Sequence, residues 1–209
     1  MKPLNTSYFC ILILSAVTSL LACSKSDDEK PEMFPEPFSA LAPQSLIDSL
    51  RSAGTMIYDG NTPPVINGIY LMSPDSCTYD NSPGNSRGQL YTDYKFRFSE
   101  QDNNAFTIKL EQKAIPANTV NPLPVKTYIS GSGNNFSIIT LRTKSLSGVD
   151  VENINIFSGT LTTGGIRNLQ NTLYIRSKGN DPNNTVAPAG TIRVFITGRA
   201  GLAVTQTGF

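Results

Sequence analysis

Cys10, Cys23 and Cys77 are the cysteines of a 209-residue chain that contains no histidine and no tryptophan. Without histidine, Ser-His-Asp and Cys-His catalysis, His-ligated zinc and an imidazole pH switch are all excluded. Cys77 lies in the acidic run Ser73-Pro74-Asp75-Ser76-Cys77-Thr78. Thiolates form beside positive groups, so this residue reads as an inert thiol. The acids beyond the N-terminal region include Asp59, Asp75, Asp80, Asp93, Asp102, Glu111, Asp150, Glu152 and Asp181. Glycoside hydrolysis needs two carboxylates facing each other across a cleft, and no pair stands out here. Most of these acids fall in turns, where Asp accepts local backbone hydrogen bonds. Asp93 alternates with Lys95 on the polar face of a strand and reads as a cross-strand ion pair. Asp150-Val151-Glu152 and Asn180-Asp181-Pro182-Asn183 lack calcium-ligand spacing. Gly164-Gly165 has no following helix with which to cradle a phosphate. No metal and no cofactor is expected, and the chain reads as a binding protein rather than an enzyme. Three long loops carry that expectation: Ser73–Gly88, Gln112–Pro124 and Lys178–Gly190. Tyr79 and Arg87 in the first are the candidates to stack on, or hydrogen-bond to, a ligand or partner.

The charge balance, 17 Lys+Arg against 16 Asp+Glu, removes the electrostatic case for a nucleic-acid partner. The N-terminus carries an address. Lys2 precedes the apolar run Tyr8–Leu21, which is shorter than the ~20 residues a membrane-spanning helix needs, and which reads as the core of a secretory signal. Leu20-Leu21-Ala22-Cys23 resembles a bacterial lipobox. That resemblance implies lipid on the Cys23 thiol, cleavage before it, and a mature chain anchored to a membrane; two or three acyl chains suffice for stable anchoring. Lys25, Ser26, Asp27, Asp28 and Glu29 follow Ser24. They resemble the export signal of surface-exposed lipoproteins of Bacteroidetes-type bacteria. This implies an outer-membrane protein facing the cell surface, with a periplasm-facing lipoprotein as the alternative. Asp48-Ser49-Leu50 resembles the O-glycosylation site of secreted proteins from the same bacteria and makes Ser49 a candidate acceptor, although a helix turn explains the same residues.

The elements that must position any site follow from periodicity. Residues 1–22 are the signal and 23–43 a flexible, acidic and Pro-rich tether. Residues 44–54 form a short helix, in which Leu46, Ile47 and Leu50 fall at helical spacing and Gly54 ends the helix. Residues 55–209 form one β domain. Leu90–Phe98 and Ala105–Glu111 alternate with period two across Gln101-Asp102-Asn103-Asn104 and predict a hairpin. Ile66–Met72, Phe136–Thr143, Val151–Thr163, Ile166–Ser177, Thr191–Gly198 and Leu202–Gln206 supply further strands. The fold class is all-β, a single antiparallel barrel or sandwich of about eight strands with a short N-terminal helix. Val151–Thr163 and Ile166–Ser177 are rich in Asn and Thr. Either they expose one face, the commoner case, or they line a cavity.

Pro63-Pro64-Val65-Ile66-Asn67-Gly68-Ile69-Tyr70 resembles the opening of uncharacterised Bacteroidetes lipoproteins. The layout also resembles lipocalin-like (calycin) barrels, with Gly68-Ile69-Tyr70 where those have Gly-x-Trp. In those barrels a last-strand arginine packs on that aromatic, a role for Arg193 or Arg199 here. The leading expectation is a surface-anchored, non-enzymatic binding or interaction module of the envelope. Its ligand or protein partner is left open. The alternatives are a lipocalin-like carrier of a small apolar ligand held by Phe96, Phe98 and Ile192, a carboxylate-dependent glycan hydrolase, and a structural or assembly subunit.

Overall fold

The computed structural model describes residues 33–116, 120–122, 127–198 and 201–209. The signal peptide, Cys23, the Lys25–Glu29 run and Arg199 lie outside the described residues. Among the described residues two helices, α1 (Glu36–Leu41) and α2 (Gln44–Ser52), precede thirteen strands. These are β1 (Asn61–Thr62), β2 (Gly68–Met72), β3 (Asp75–Asp80), β4 (Leu90–Tyr91), β5 (Tyr94–Asp102), β6 (Thr107–Ala114), β7 (Val120–Pro122), β8 (Thr127–Ser132), β9 (Asn135–Leu146), β10 (Val149–Thr162), β11 (Gly165–Lys178), β12 (Ile192–Thr197) and β13 (Leu202–Gln206).

Eight of them close a barrel, in the order β2-β5-β6-β8-β9-β10-β11-β13 and back to β2. Each pairs antiparallel with its neighbours, which leaves the barrel without an open edge. Among the described residues the closure is least extensive between β6 and β8, paired at Thr107 with Tyr128. β11 is long enough to serve two partners: Gly165–Arg167 pairs with β13, and Gln170–Tyr174 pairs with β12. β12 then carries β3, and β3 carries β4, as a flange beyond the barrel wall. Gly164-Gly165 turns β10 into β11 as a hairpin. Gly165 sits at φ +144, and a side chain there would run into the Ala203 carbonyl on β13.

Several sequence expectations are corrected. Leu90–Phe98 is interrupted, so Leu90 stands exposed on β4 and does not share the buried face of Phe96 and Phe98. The loop Ser73–Gly88 contains β3, whose polar sequence carries little strand signal. β8, Thr127–Ser132, is likewise a strand the sequence did not announce. The expected flexible tether does not extend to residue 43. Glu36–Leu41 is helical, and Phe38 within it is fully buried.

Two faces of the wall bury different things, so β9 over Phe136–Thr140 and β10 over Asn153–Gly159 are buried on both sides. Inward residues Phe96, Phe98, Leu110, Phe136, Ile138 and Phe157 fill the barrel. Their rings pack at 5.1 Å for Phe96–Phe157 and 6.4 Å for Phe98–Phe136, with edges meeting faces. Outward residues Ile139, Ile154, Ile156, Ile192 and Val194 instead receive Phe38, Ile47 and Leu50 of the helices. Each such fully buried side chain contributes about 1.5–3 kcal/mol, enough to hold helices too short to persist alone. Polar side chains on the outer wall fix the following segment. Met56 N–H donates to Gln170 Oε1 (2.8 Å), Gln170 Nε2 donates to the Gly54 carbonyl (3.2 Å), and Thr55 and Thr172 hydroxyls bond at 3.0 Å.

Candidate functional site

The phenylalanine filling stops part of the way along the barrel. Beyond it, the same inward positions turn polar. On β9, Phe136 and Ile138 give way to Thr140, Arg142 and Lys144. On β10, Phe157 gives way to Asn155 and Asn153, and on β11 Leu169 gives way to Asn171. The result is a pocket of about 210 Å³ at the open end of the barrel. Gln112, Tyr94, Tyr91, Asp75, Leu173 and Phe195 also line it. At about 30 Å³ per water it has room for roughly seven waters, a sugar-sized molecule rather than a drug-sized one.

The amides form a directed chain. Asn153 Nδ2 donates to Asn155 Oδ1 at 2.6 Å, and Asn155 Nδ2 donates to Asn171 Oδ1 at 3.1 Å. The acceptor end, Asn153 Oδ1, is buried with no partner among the described residues, and Asn153 itself is only 2% exposed. A buried polar atom without a partner costs roughly 1–3 kcal/mol. Arg142 is the cross-strand neighbour of Asn153, and Lys144 follows it on the same face at the rim. Burial pulls the Arg142 guanidinium below its ordinary value, partly offset by Tyr94. Lys144 is lowered by desolvation first and by Arg142 second. Neither cation has an ion pair among the described residues, although Arg51, Arg97, Lys109, Arg176, Lys178 and Arg193 each have one.

Asp75 is the acid that lines the pocket. It is 4% exposed, and its Oδ1 also lacks a partner among the described residues. Burial, and then the Asp93 carboxylate, push it up to about 7. Asp93 is not the cross-strand partner of Lys95 that its alternation suggests. Its Oδ2 accepts from the Ser73 hydroxyl (2.6 Å) and its Oδ1 from the Asp75 N–H (3.3 Å). The flange thus holds Asp75 against the mouth from outside the barrel.

The residues singled out in the sequence fall elsewhere. Tyr79 belongs to β3 and packs half-buried against the helix-covered cluster, away from the pocket. Arg87 is exposed on the following turn, where its N–H bonds Asn85 Oδ1 (3.2 Å). Ser49 is exposed on α2, but its hydroxyl donates to the Ser45 carbonyl (2.9 Å) as an ordinary helix residue does. Arg193 does not pack on Tyr70. It bonds Asp80 Oδ2 (3.0 Å) and Ser82 (3.1 Å), while Tyr70 rests on Phe98 and donates to the Asn67 carbonyl (3.2 Å). Phe96 and Phe98 lie in solid core, and Ile192 lies on the outer face under the helices, so these three do not frame a common cavity. The Asn-rich strands take the less common of their two options: Asn153, Asn155 and Asn171 line a cavity. The signal for this was present, since apolar and then polar residues occupy the same alternating positions of β9 and β10. Cys77 is buried and unpaired by any disulfide, with its thiol pushed up chiefly by burial, as an inert cysteine requires.

Comparison with family models, with curated proteins and with solved structures finds no match to this chain.

Proposed function

We propose that this protein is a lipid-anchored module of the bacterial envelope, tethered through Cys23, whose barrel binds a small polar ligand at its open end without catalysing a reaction. The observation that carries the binding half is the polar mouth. Four amides, two cations and a buried carboxyl converge on a preformed pocket, and Asn153 Oδ1 and Asp75 Oδ1 there lack partners among the described residues. Buried groups of this kind cost stability unless a ligand or water satisfies them, which favours a role in recognition. The solid phenylalanine core speaks against a carrier of an apolar ligand inside the barrel. The lipobox-like Leu20-Leu21-Ala22-Cys23 carries the anchoring half.

Each half has its own test. Cys23→Ala moves the protein from the membrane fraction to the soluble fraction; an unchanged membrane fraction removes the lipid anchor. Thermal-shift measurement of the full chain with a panel of neutral and charged sugars, amino acids and organic acids is expected to find a stabilising class. The variant Leu173→Trp, which fills the mouth, loses that response. No response from any class, or an equal one in the filled variant, refutes the binding site.

Asp75 favours a second reading, the carboxylate-dependent hydrolase, because a carboxyl near 7 suits a general acid. Its nearest acid, Asp93, is turned to the Ser73 hydroxyl and the Asp75 backbone rather than across the pocket. Glycan turnover abolished by Asp75→Asn would establish hydrolysis, and turnover unaffected by that change would eliminate it.

A further inference from the structure

We propose that the ligand of the barrel mouth is an anion of sugar size, one carboxylate or phosphate on a hydroxylated body, with its charge held by Arg142 and Lys144. This rests on the assignment of the mouth as the binding site and adds the chemical class of what it binds.

Arg142 and Lys144 occupy alternate positions of β9, so both side chains leave the same face of the sheet, into and over the pocket. Like charges so close on one strand repel, and Arg142 is half-buried. A guanidinium taken from water without an anion is costly, which is why buried arginines are nearly always paired. Arg142 has no ion pair among the described residues. Asp75, which lines the same pocket, makes no ion pair with either cation. The pocket therefore keeps a pair of cations that its own acid leaves uncompensated. An entering carboxylate or phosphate supplies the missing charge, and a planar guanidinium suits its paired oxygens.

The rest of the lining sets the body of the ligand. Asn153 Oδ1, beside Arg142 in register, is a buried acceptor awaiting a donor, which a hydroxyl on the ligand provides. At the other end of the amide chain Asn171 Nδ2 is left as a donor, and Gln112 adds both functions. Below pH 7 a protonated Asp75 also presents a donor rather than a repelling charge. A pocket of about 210 Å³ admits one sugar-sized molecule and not a chain of them.

The test uses the full chain in detergent micelles at pH 6 and low salt, titrated with glucuronate, glucose 6-phosphate and glucose by calorimetry. At least one anionic probe is expected to bind about tenfold or more tightly than glucose, and to weaken as salt is raised. The better of the two shows whether the site prefers carboxylate or phosphate. Arg142→Gln should cost that probe about 10- to 100-fold in affinity, consistent with losing a charge-assisted bond, and cost glucose far less. Arg142→Lys should recover part of the loss, which separates the charge from damage to the fold. Glucose binding as tightly as both anions, or Arg142→Gln leaving the anionic probe unaffected, overturns the anion assignment while the polar site stands. If Leu173→Trp leaves the binding of every probe intact, the mouth itself is not the site and both assignments fall.

Discussion

Replacing Asp75 by asparagine should make the protein more stable in mild alkali and little different in mild acid. The reason is a proton. Asp75 titrates near 7 when folded and near 3.8 when free, because burial and the neighbouring Asp93 both disfavour its charge. Between those values the folded chain holds a proton that the unfolded chain has lost. Stability therefore falls as pH rises from about 4 to about 7, by up to ~1.4 kcal/mol per pH unit, and stays low above the folded value. The accumulated penalty approaches ~4 kcal/mol at pH 8. An amide in place of the carboxyl keeps the shape of the neutral acid and cannot ionise. The Asp75→Asn variant should match the parent within about 1 kcal/mol at pH 4.5 and exceed it by up to ~4 kcal/mol at pH 8, roughly 8–16 °C in melting temperature for a domain of this size. Urea or thermal unfolding of both proteins across that range decides the matter. The readout is the difference between them, because other titrating groups cancel in it. A difference that does not change with pH would refute the burial of a neutral Asp75, and a variant less stable at pH 8 than at pH 4.5, relative to the parent, would reverse the sign.

Further outcomes follow from other parts of the fold. Asp80 is desolvated, yet Ser82, the Ser86 N–H and Arg193 outweigh that and bring it down to about 2. Its contribution is thus present above pH 4 and lost as pH falls towards 2, so Asp80→Asn should cost about 2 kcal/mol at pH 7 and almost nothing at pH 2, read by urea denaturation at both values. Phe157→Ala empties the centre of the barrel beneath the pocket and should cost about 3–5 kcal/mol by denaturant unfolding. Gly165→Ala places a side chain against the Ala203 carbonyl at φ +144, and should lower the melting temperature by several degrees, the equivalent of at least about 1–2 kcal/mol.

Much of the frame was legible in the chain. The alternation of Phe96 and Phe98 with Lys95 and Arg97 defined a half-buried strand, and the polar Gln101–Asn104 stretch signalled its hairpin to the next, although Gln101 and Asp102 still belong to β5. Phe136–Thr143 and Val151–Thr163 were legible as strands, but the burial of both faces was not, because β10 is rich in Asn and Thr. β3 was hidden because Asp75-Ser76-Cys77-Thr78-Tyr79-Asp80 is mostly polar, and its pairing with β12 comes from a partner more than a hundred residues away. α1 was hidden among prolines, because what makes Phe38 helical is the outer wall it packs on. The loop residues Tyr79 and Arg87 drew notice as aromatic and cation in a long connection, but the side chains that converge lie on four or more separate strands.

By itself, then, the sequence determined that this is a β protein without histidine chemistry, with an inert Cys77 and a lipobox-like Cys23, because these depend on residue type and on near neighbours in the chain. Whether the sheet closed, which way Asn153, Asn155 and Asn171 faced, and that Arg142 and Lys144 would share a pocket with Asp75 were decided only by tertiary structure. Closure depends on the pairing of β2 with β13, elements at opposite ends of the domain. A strand's two faces are equivalent in the sequence until a closed sheet makes one of them inside, and the helices make the other buried as well. The same closure took polar side chains expected at the surface and gathered them, more than nine-tenths buried at Asn153 and Asp75, around one pocket.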